Sequence, residues 1–185
     1  MFIFKKEKVL NEDKCRRAIR WYDNTYTDPM VAQPGTAGEK KLENIEIGLP
    51  IDSDTDKEVE NHYWGIGKKV KNAMVEYIKK HPEINGLAQW KLTPTAQFAM
   101  WEPGKYYHYL HCENEGKYHN RFLSWMIFLN DIKEGGRTYF PQHNTYLEPK
   151  AGDFYIWPAG WTHLHRGERA PSERKYTVTG WYEYV

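Results

Sequence analysis

The second half of the chain alternates between short strand-like runs and turn signals, and this pattern limits the possible folds more than any other feature. The runs are rich in aromatic and β-branched residues, which favour strands, and segments with Gly, Pro or acidic residues separate them. In chain order they are residues 95–101 (TAQFAMW), 121–131 (RFLSWMIFLND), 153–160 (DFYIWPAG) and 175–185 (KYTVTGWYEYV). Many short strands with frequent turns are typical of a β-sandwich or a jelly roll.

The first half of the chain predicts helices instead. Asn11 is placed to cap a helix whose apolar positions fall on one face, namely Cys15, Ile19 and Tyr22. A longer helix is predicted from Asp56, because apolar residues recur there at spacings of three and four, at Val59, Tyr63, Ile66, Val70, Met74 and Tyr77. Residues 30–56 are rich in Gly, Pro and charge, so we expect mostly loop there, with a short strand at Glu43–Ile47.

These two halves together predict an α+β fold in a single domain, residues 1–185. At 185 residues the chain is long enough to bury a core. We expect residues 1–93 to form a helical N-terminal support and residues 94–185 a jelly-roll core, a double-stranded β-helix, with the helices packed on one sheet. The mouth of a jelly roll is a usual place for a ligand pocket.

Charge, hydropathy and cysteine content argue against several classes of protein. The 26 basic residues nearly balance the 25 acidic ones, so net charge gives no reason to expect nucleic acid or an anionic membrane surface as a partner. The sequence has no apolar run long enough to span a membrane and no signal-peptide pattern. Two cysteines, Cys15 and Cys112, are too few for a disulfide framework or a thiolate zinc site. We therefore expect a soluble, cytoplasmic protein, and the sequence indicates no oligomeric state.

Two short segments supply candidate metal ligands. His111 and Glu113 stand two residues apart, so on one strand their side chains would share a face. A second segment offers His163 and His165, which are also two residues apart. Two imidazoles and one carboxylate form the facial triad of non-haem Fe(II) oxygenases, which leaves positions open on the metal. Strand alternation alone does not choose between His163 and His165.

A lysine follows the second histidine pair. Lys175 lies ten residues after His165, at the start of a predicted strand. A cation close to an iron site can hold the carboxylate of an anionic cosubstrate through a charge-assisted hydrogen bond. Taken alone, Lys175 would be read as a solvated lysine on an edge strand, so its significance depends on the residues around it.

Three segments in order give a resemblance to a known family, which extends from about Ala96 to Tyr184. Residues 101–113 (WEPGKYYHYLHCE) resemble Y-x-x-G-x-x-Y-x-x-H-x-D, and residues 121–141 resemble R-x-x-T-x-L-x-Y-L-x-D-x-x-x-G-G-x-T-x-F-P. Residues 165–181 (HRGERAPSERKYTVTGW) resemble H-x-G-x-P-V-x-x-G-x-K-W…W. The chain is thus similar to 2-oxoglutarate- and Fe(II)-dependent dioxygenases, and most similar to the prolyl 4-hydroxylase branch in its small bacterial and phage forms.

The resemblance implies roles for seven residues. It makes His111, Glu113 and His165 the iron ligands, with His163 as an alternative or supporting residue. Lys175 would bind the distal carboxylate of 2-oxoglutarate with Thr138 nearby, Trp181 would line the pocket, and Trp101 would stand where the family has a tyrosine. The cofactors implied are Fe(II), 2-oxoglutarate as cosubstrate, and ascorbate as reductant. The chain departs from the family in carrying Glu113 in place of aspartate, and in one extra residue between Gly104 and His111.

The resemblance also implies an activity, the hydroxylation of a C–H bond with release of succinate and CO2. A peptidyl proline in a peptide or protein is the expected substrate, and the polar loops 28–49 and 113–121 are expected to bind it. The expected location is the cytoplasm or, for a phage protein, the host cytoplasm. Two alternatives within this fold are an oxygenase for a small molecule or another side chain, and a non-catalytic module that binds metal and 2-oxoglutarate. A zinc hydrolase is a third, but it leaves Lys175 and residues 135–140 (GGRTYF) without a role.

Overall fold

The computed structural model describes residues 2–25, 34–37, 40–50 and 63–185. Two α-helices lie in the first half, α1 (Glu12–Thr25) and α2 (Ile66–Lys80). The strands in chain order are β1 (Phe4–Lys6), β2 (Pro34–Ala37), β3 (Lys40–Pro50), β4 (Trp90–Leu92), β5 (Thr95–Trp101), β6 (Arg121–Phe128), β7 (Thr138–Phe140), β8 (Thr145–Leu147), β9 (Phe154–Pro158), β10 (Arg166–Gly167) and β11 (Lys175–Tyr184).

The strands form two antiparallel sheets. Within the described ranges, a main sheet of eight strands runs in the order β1-β9-β6-β11-β5-β3-β2, and β4 also pairs with β11. A smaller sheet of three strands has the order β10-β7-β8. Except in the pairs β2-β3 and β7-β8, neighbouring strands are not consecutive in the chain, which is the crossed connectivity of a jelly roll. The predicted fold class, α+β with a jelly-roll core and helices on one sheet, is confirmed.

Alternation along the strands of the main sheet separates two buried clusters. On β6, Leu123, Trp125 and Ile127 face the helices and join a large core with side chains of α1 and α2. The opposite face contributes Phe128 to a second cluster, which lies between the two sheets and also contains Phe140, Leu147, Tyr155 and Trp157. Because side chains alternate between faces, every second residue of β11 turns away from the helices, toward the space between the sheets. This is where the candidate site lies.

Helix α1 begins as predicted. The Asn11 side chain accepts a hydrogen bond from the backbone N–H of Lys14 at 2.9 Å, which is the N-cap interaction. Cys15 and Tyr22 are buried in the larger core, and the Tyr22 ring stacks on Phe98 of β5 with 4.7 Å between ring centroids. Among the helices that the structure describes, none is both long and apolar enough to cross a membrane.

The first half differs from the prediction in two places. The expectation of mostly loop over residues 30–56 is wrong where the chain is described, because residues 34–37 and 40–50 are strands and β3 pairs with β5 over seven residues. The strand predicted at Glu43–Ile47 is confirmed as part of β3. The rest of residues 30–56 lies outside the described residues.

Helix α2 begins at Ile66, since Trp64 and Gly65 have φ of 59° and 67°, which a right-handed helix does not tolerate. The predicted start at Asp56 lies outside the described residues.

Gly180 of β11 should be essential for packing of the main sheet. A Cβ atom at this position would lie 2.3 Å from Cζ2 of Trp125, whose side chain is fully buried. Gly180→Ala is therefore expected to lower the free energy of unfolding by about 1–3 kcal/mol, as overpacking does. Urea denaturation checks this against Gly86→Ala, where an added Cβ meets no atom within 4 Å. Equal denaturation midpoints for the two variants would contradict the expectation.

Candidate active site

Two backbone segments carry the candidate ligands and are tied to each other. His111 and His165 form an isolated antiparallel bridge, in which His111 N–H donates to His165 O at 3.1 Å and His165 N–H donates to His111 O at 2.9 Å. Glu113 follows in a bend, where its N–H donates to Ala159 O at 2.9 Å. The prediction that His111 and Glu113 lie on one strand is wrong, because pairing stops after His111. Both side chains nevertheless point to the same place.

The three side chains form a compact cluster of possible metal ligands. Oε1 of Glu113 lies 3.5 Å from Nε2 of His111 and 3.3 Å from Nε2 of His165. One ligand atom from each residue lies within 4.8 Å of the others. The donor set of two imidazoles and one carboxylate matches the facial triad. The structure therefore brings together the three residues that the sequence singled out.

Hydrogen bonds on the far side of each ring fix its orientation. Nδ1 of His111 lies 2.9 Å from Tyr109 O, and Nδ1 of His165 lies 3.0 Å from His163 O. A proton on Nδ1 is shared with a carbonyl in each case, which leaves the Nε2 lone pair free to bind a metal. The His165 ring is also stacked on Phe140, at 5.0 Å between centroids. These contacts preform the site, and its residues fit a divalent metal ion.

The charges within the triad are coupled. Burial alone would raise the pKa of the Glu113 carboxyl, but the hydrogen bonds and charges of His111 and His165 hold that pKa well below its usual range. Burial and the charge of His111 lower the pKa of His165. Burial opposes charge on His111 as well, but the Glu113 carboxylate outweighs it and raises the pKa of His111. A metal ion that binds here must displace the proton that His111 carries on its Nε2 when it is charged. Metal affinity should therefore fall as the pH falls.

Lys175 is buried at the other end of the same space. It begins β11 opposite Trp101 of β5, and its Nζ lies 5.7 Å from the centroid of the Trp101 ring. Nζ donates to Gly136 O at 3.3 Å, and no carboxylate in the described part of the chain forms an ion pair with it. Burial lowers the pKa of Lys175 to about 8, although the charge of Glu168 opposes the shift. A buried ammonium without a counter-ion is costly, which makes this a site for an anionic group.

One cavity of about 200 Å³ connects the triad with Lys175. All seven residues singled out from the sequence line it, including Thr138, Trp101 and Trp181. No role was predicted for the other lining residues, although Tyr107, Arg121 and Gly167 stand at motif positions. These others are Gln97, Ala99, Tyr107, Tyr118, Arg121, Met126, Gly167, Thr177 and Thr179. Alternation along β11 accounts for part of this set, since Thr177 and Thr179 share a face with Lys175 and Trp181.

Three other residues near the triad lie outside the cavity. His163 is buried, its Nδ1 lies 3.0 Å from Oγ1 of Thr162, and its ring packs against His143. It does not face the triad, because residues 161–163 form a 3₁₀ turn in which strand alternation does not apply. His108 packs on Tyr109, and Cys112 is buried with its Sγ 3.4 Å from Oε1 of Glu115. Of the two histidines that the sequence left open, only His165 is placed to bind a metal with Glu113.

Comparisons with known proteins agree with this geometry. Residues 96–183 match the profile described as the 2OG-Fe(II) oxygenase superfamily. No curated protein matches the sequence.

Solved structures share the fold over nearly the whole chain. Viral collagen prolyl hydroxylase from Paramecium bursaria Chlorella virus-1, in its 2OG complex, aligns with a TM-score of 0.70 and 18% identity, over 100% of this chain and 97% of the viral chain. A prolyl-4-hydroxylase from Pseudomonas putida gives 0.68 and 15% identity, over 99% and 92%. A Trichoplax adhaerens prolyl hydroxylase, in complex with a peptide fragment of the hypoxia inducible factor oxygen degradation domain, gives 0.71 and 16% identity, over 98% and 83%.

Proposed function

Since residues 96–183 match the profile of the 2OG-Fe(II) oxygenase superfamily, we propose that this chain is a dioxygenase of that superfamily and that it hydroxylates a peptidyl proline. In the overall reaction, substrate C–H, dioxygen and 2-oxoglutarate give substrate C–OH, succinate and CO2. The observation that carries this proposal is that one cavity contains both an open metal-ligand triad and a buried lysine that forms no ion pair with any described residue.

The triad would hold Fe(II) through His111, Glu113 and His165. When bound, the iron supplies the activation of dioxygen, and the protein contributes ligands, orientation and a pocket that excludes water. The backbone bridge between His111 and His165 keeps two of these ligands in register, and the carbonyls of Tyr109 and His163 hold their rings. Ascorbate as reductant and a cytoplasmic location remain predictions.

The wall between the triad and Lys175 would hold 2-oxoglutarate. Lys175 would bind the distal carboxylate, and the buried hydroxyl of Thr138 would add a hydrogen bond nearby. Trp101 replaces the tyrosine of the family, so at this position the pocket offers one N–H donor and a flat apolar surface, but no acceptor. Lys175 would be the main determinant of cosubstrate affinity, because its ammonium is the group that pairs with the distal carboxylate.

Exposed apolar side chains beside the ligand-bearing segments support a peptide substrate. Leu110, Tyr118 and Trp161 are 48%, 41% and 72% exposed. Large apolar groups exposed close to a cavity often mark a binding surface, and aromatic surfaces suit the extended polyproline conformation. The Trichoplax structure, which shares this fold, contains a peptide.

Product analysis under ¹⁸O₂ would test the proposal. Purified protein with Fe(II) and 2-oxoglutarate would be incubated with a library of proline-containing peptides, and succinate and peptide masses would be followed by mass spectrometry. We expect one ¹⁸O atom in succinate and one in a hydroxylated peptide. Samples without Fe(II), or with Zn(II) in its place, should give neither product.

Other outcomes would point to the alternatives. The absence of succinate in every Fe(II) sample would support a non-catalytic binding module. Succinate formation that is stimulated by a small molecule, with no peptide modified, would contradict the peptidyl-proline substrate. Hydrolysis that depends on Zn(II) would contradict the oxygenase activity itself.

A further inference from the structure

The two carboxylate oxygens of Glu113 face different partners. Oε1 points to Nε2 of both triad histidines, at 3.5 and 3.3 Å. Oε2 accepts a hydrogen bond from Nε1 of Trp181 at 2.9 Å and another from Nη1 of Arg121 at 3.3 Å. The carboxylate is thus fixed in its rotation, and each oxygen has its own function.

We propose that Trp181 and Arg121 are positioning residues, a clamp that adapts this metal site to a glutamate ligand. By holding Oε2, they leave only Oε1 to face the metal and prevent the longer, more flexible side chain from binding through both oxygens. The proposal rests on the metal-binding role of Glu113 described above. It adds a reason why glutamate can serve here, and it assigns Trp181 a hydrogen bond to the ligand in addition to lining the pocket.

Arg121 is itself held rigidly. Its guanidinium carbon lies 3.5 Å from the centroid of the Trp181 ring and 3.8 Å from that of the Tyr118 ring, so the group is stacked between two aromatic side chains. Its Nη1 also donates to the backbone carbonyl of Glu113 at 3.3 Å. A planar cation fixed by stacking loses little further freedom when it binds the carboxylate, so the clamp is preorganised.

The length of the side chain makes the clamp specific for glutamate. Aspartate is shorter by one carbon–carbon bond, about 1.5 Å. If an aspartate at position 113 kept one oxygen toward the histidines, its second oxygen would lie roughly 4 Å or more from Nε1 of Trp181, beyond hydrogen-bond reach. The clamp should therefore act on Glu113 and be lost in Glu113→Asp, which gives a test of coupling between the two positions.

A double-mutant cycle measures this coupling. Trp181→Phe removes the N–H donor and keeps an aromatic ring against Arg121. Mn(II) affinity of the metal-free protein would be measured by anaerobic calorimetry without 2-oxoglutarate, and the visible spectrum of the Co(II) form would report the coordination of the carboxylate. We expect Trp181→Phe to weaken Mn(II) binding about 10–100-fold in the wild-type background, as loss of a hydrogen bond to a metal ligand does, and less than about threefold in the Glu113→Asp background.

Two further variants complete the design. Trp125→Phe is the matched control, because Trp125 is also a buried tryptophan of the main sheet but faces the helical core, and it should leave Mn(II) affinity unchanged. Arg121→Lys keeps the charge but loses the stacked planar group, and it should weaken binding and change the Co(II) spectrum as Trp181→Phe does. Thermal unfolding of the metal-free variants shows whether each is folded.

The outcomes distinguish a failure of the proposed clamp from a failure of Glu113 as a metal ligand. Equal losses for Trp181→Phe in both backgrounds, or no loss in a folded wild-type background, would overturn the clamp. In either case the proposed function would stand, provided that Glu113→Ala loses Mn(II) binding. Undiminished Mn(II) binding by Glu113→Ala would overturn both the clamp and the role of Glu113 as a ligand.

Discussion

Replacement of His111 or His165 by alanine is expected to abolish metal binding and 2-oxoglutarate turnover. Each variant removes one of three ligands, and the remaining imidazole and carboxylate form an incomplete site. The fold should survive, because the bridge between the two segments consists of backbone hydrogen bonds that alanine retains. His165→Ala should unfold at a lower temperature than His111→Ala, since the His165 ring is buried between Phe140 and Trp157.

His163→Ala is the matched control for this experiment. His163 is as buried as His165, but its ring packs on His143 and does not face Glu113. It should retain Mn(II) binding by calorimetry and succinate production close to those of the wild type. Near-normal succinate production by His111→Ala or His165→Ala would remove that residue from the metal site, and a larger loss in His163→Ala would reverse the choice between the two histidines.

The part of the fold that the sequence predicted well is the part with strong periodicity. Residues 95–101, 121–131 and 175–185 alternate or run apolar along their length, and they form β5, β6 and β11 at the centre of the main sheet. Strand β3 was predicted only at Glu43–Ile47, because Lys40 and Lys41 before this segment and Gly48 and Pro50 after it are residue types that strands disfavour. Its pairing with β5 supplies hydrogen bonds that local composition does not reveal.

The identity of the second histidine ligand shows where periodicity fails. His163 and His165 are two residues apart, so a strand would turn both the same way. The chain instead makes a 3₁₀ turn at residues 161–163 and returns to extended structure at His165, which pairs with His111. This turn depends on tertiary contacts, such as the hydrogen bond from Leu164 N–H to Gln142. At the level of sequence, His165 was favoured by the match to the His-x-Gly motif and by the position of Lys175 ten residues later.

The contact between Arg121 and Glu113 could not be read from the sequence. The two residues are eight positions apart and are joined by a short 3₁₀ turn at Gly116–Tyr118, whose geometry decides whether their side chains meet. Trp181 reaches the same carboxylate from 68 positions away, across the sheet. Motifs identify ligands because ligand chemistry limits the residue types, whereas the groups that orient a ligand can come from any neighbouring element.

Replacement of Lys175 by alanine should raise the dissociation constant for 2-oxoglutarate strongly while leaving metal affinity intact. Lys175 is a buried cation that lines the cavity, and removal of one member of a charge-assisted pair costs about 2–5 kcal/mol. This corresponds to a loss of affinity of about thirtyfold to several thousandfold. Calorimetric titration of 2-oxoglutarate into the Mn(II)-loaded protein, without oxygen, measures this dissociation constant. Lys175→Arg should recover part of the affinity, since it keeps the charge but presents a broader, planar group.

The same titration repeated at different pH values identifies the group involved. Burial lowers the pKa of Lys175 to about 8 in the free protein, so the ammonium that binds the carboxylate is present below this pH and is lost above it. The dissociation constant of the wild type should therefore rise up to about tenfold per pH unit above pH 8. That of Lys175→Arg should stay constant, because the guanidinium remains charged. A dissociation constant that is unchanged in Lys175→Ala, or equally pH-dependent in Lys175→Arg, would show that 2-oxoglutarate does not depend on this lysine, and the cosubstrate site would have to lie elsewhere.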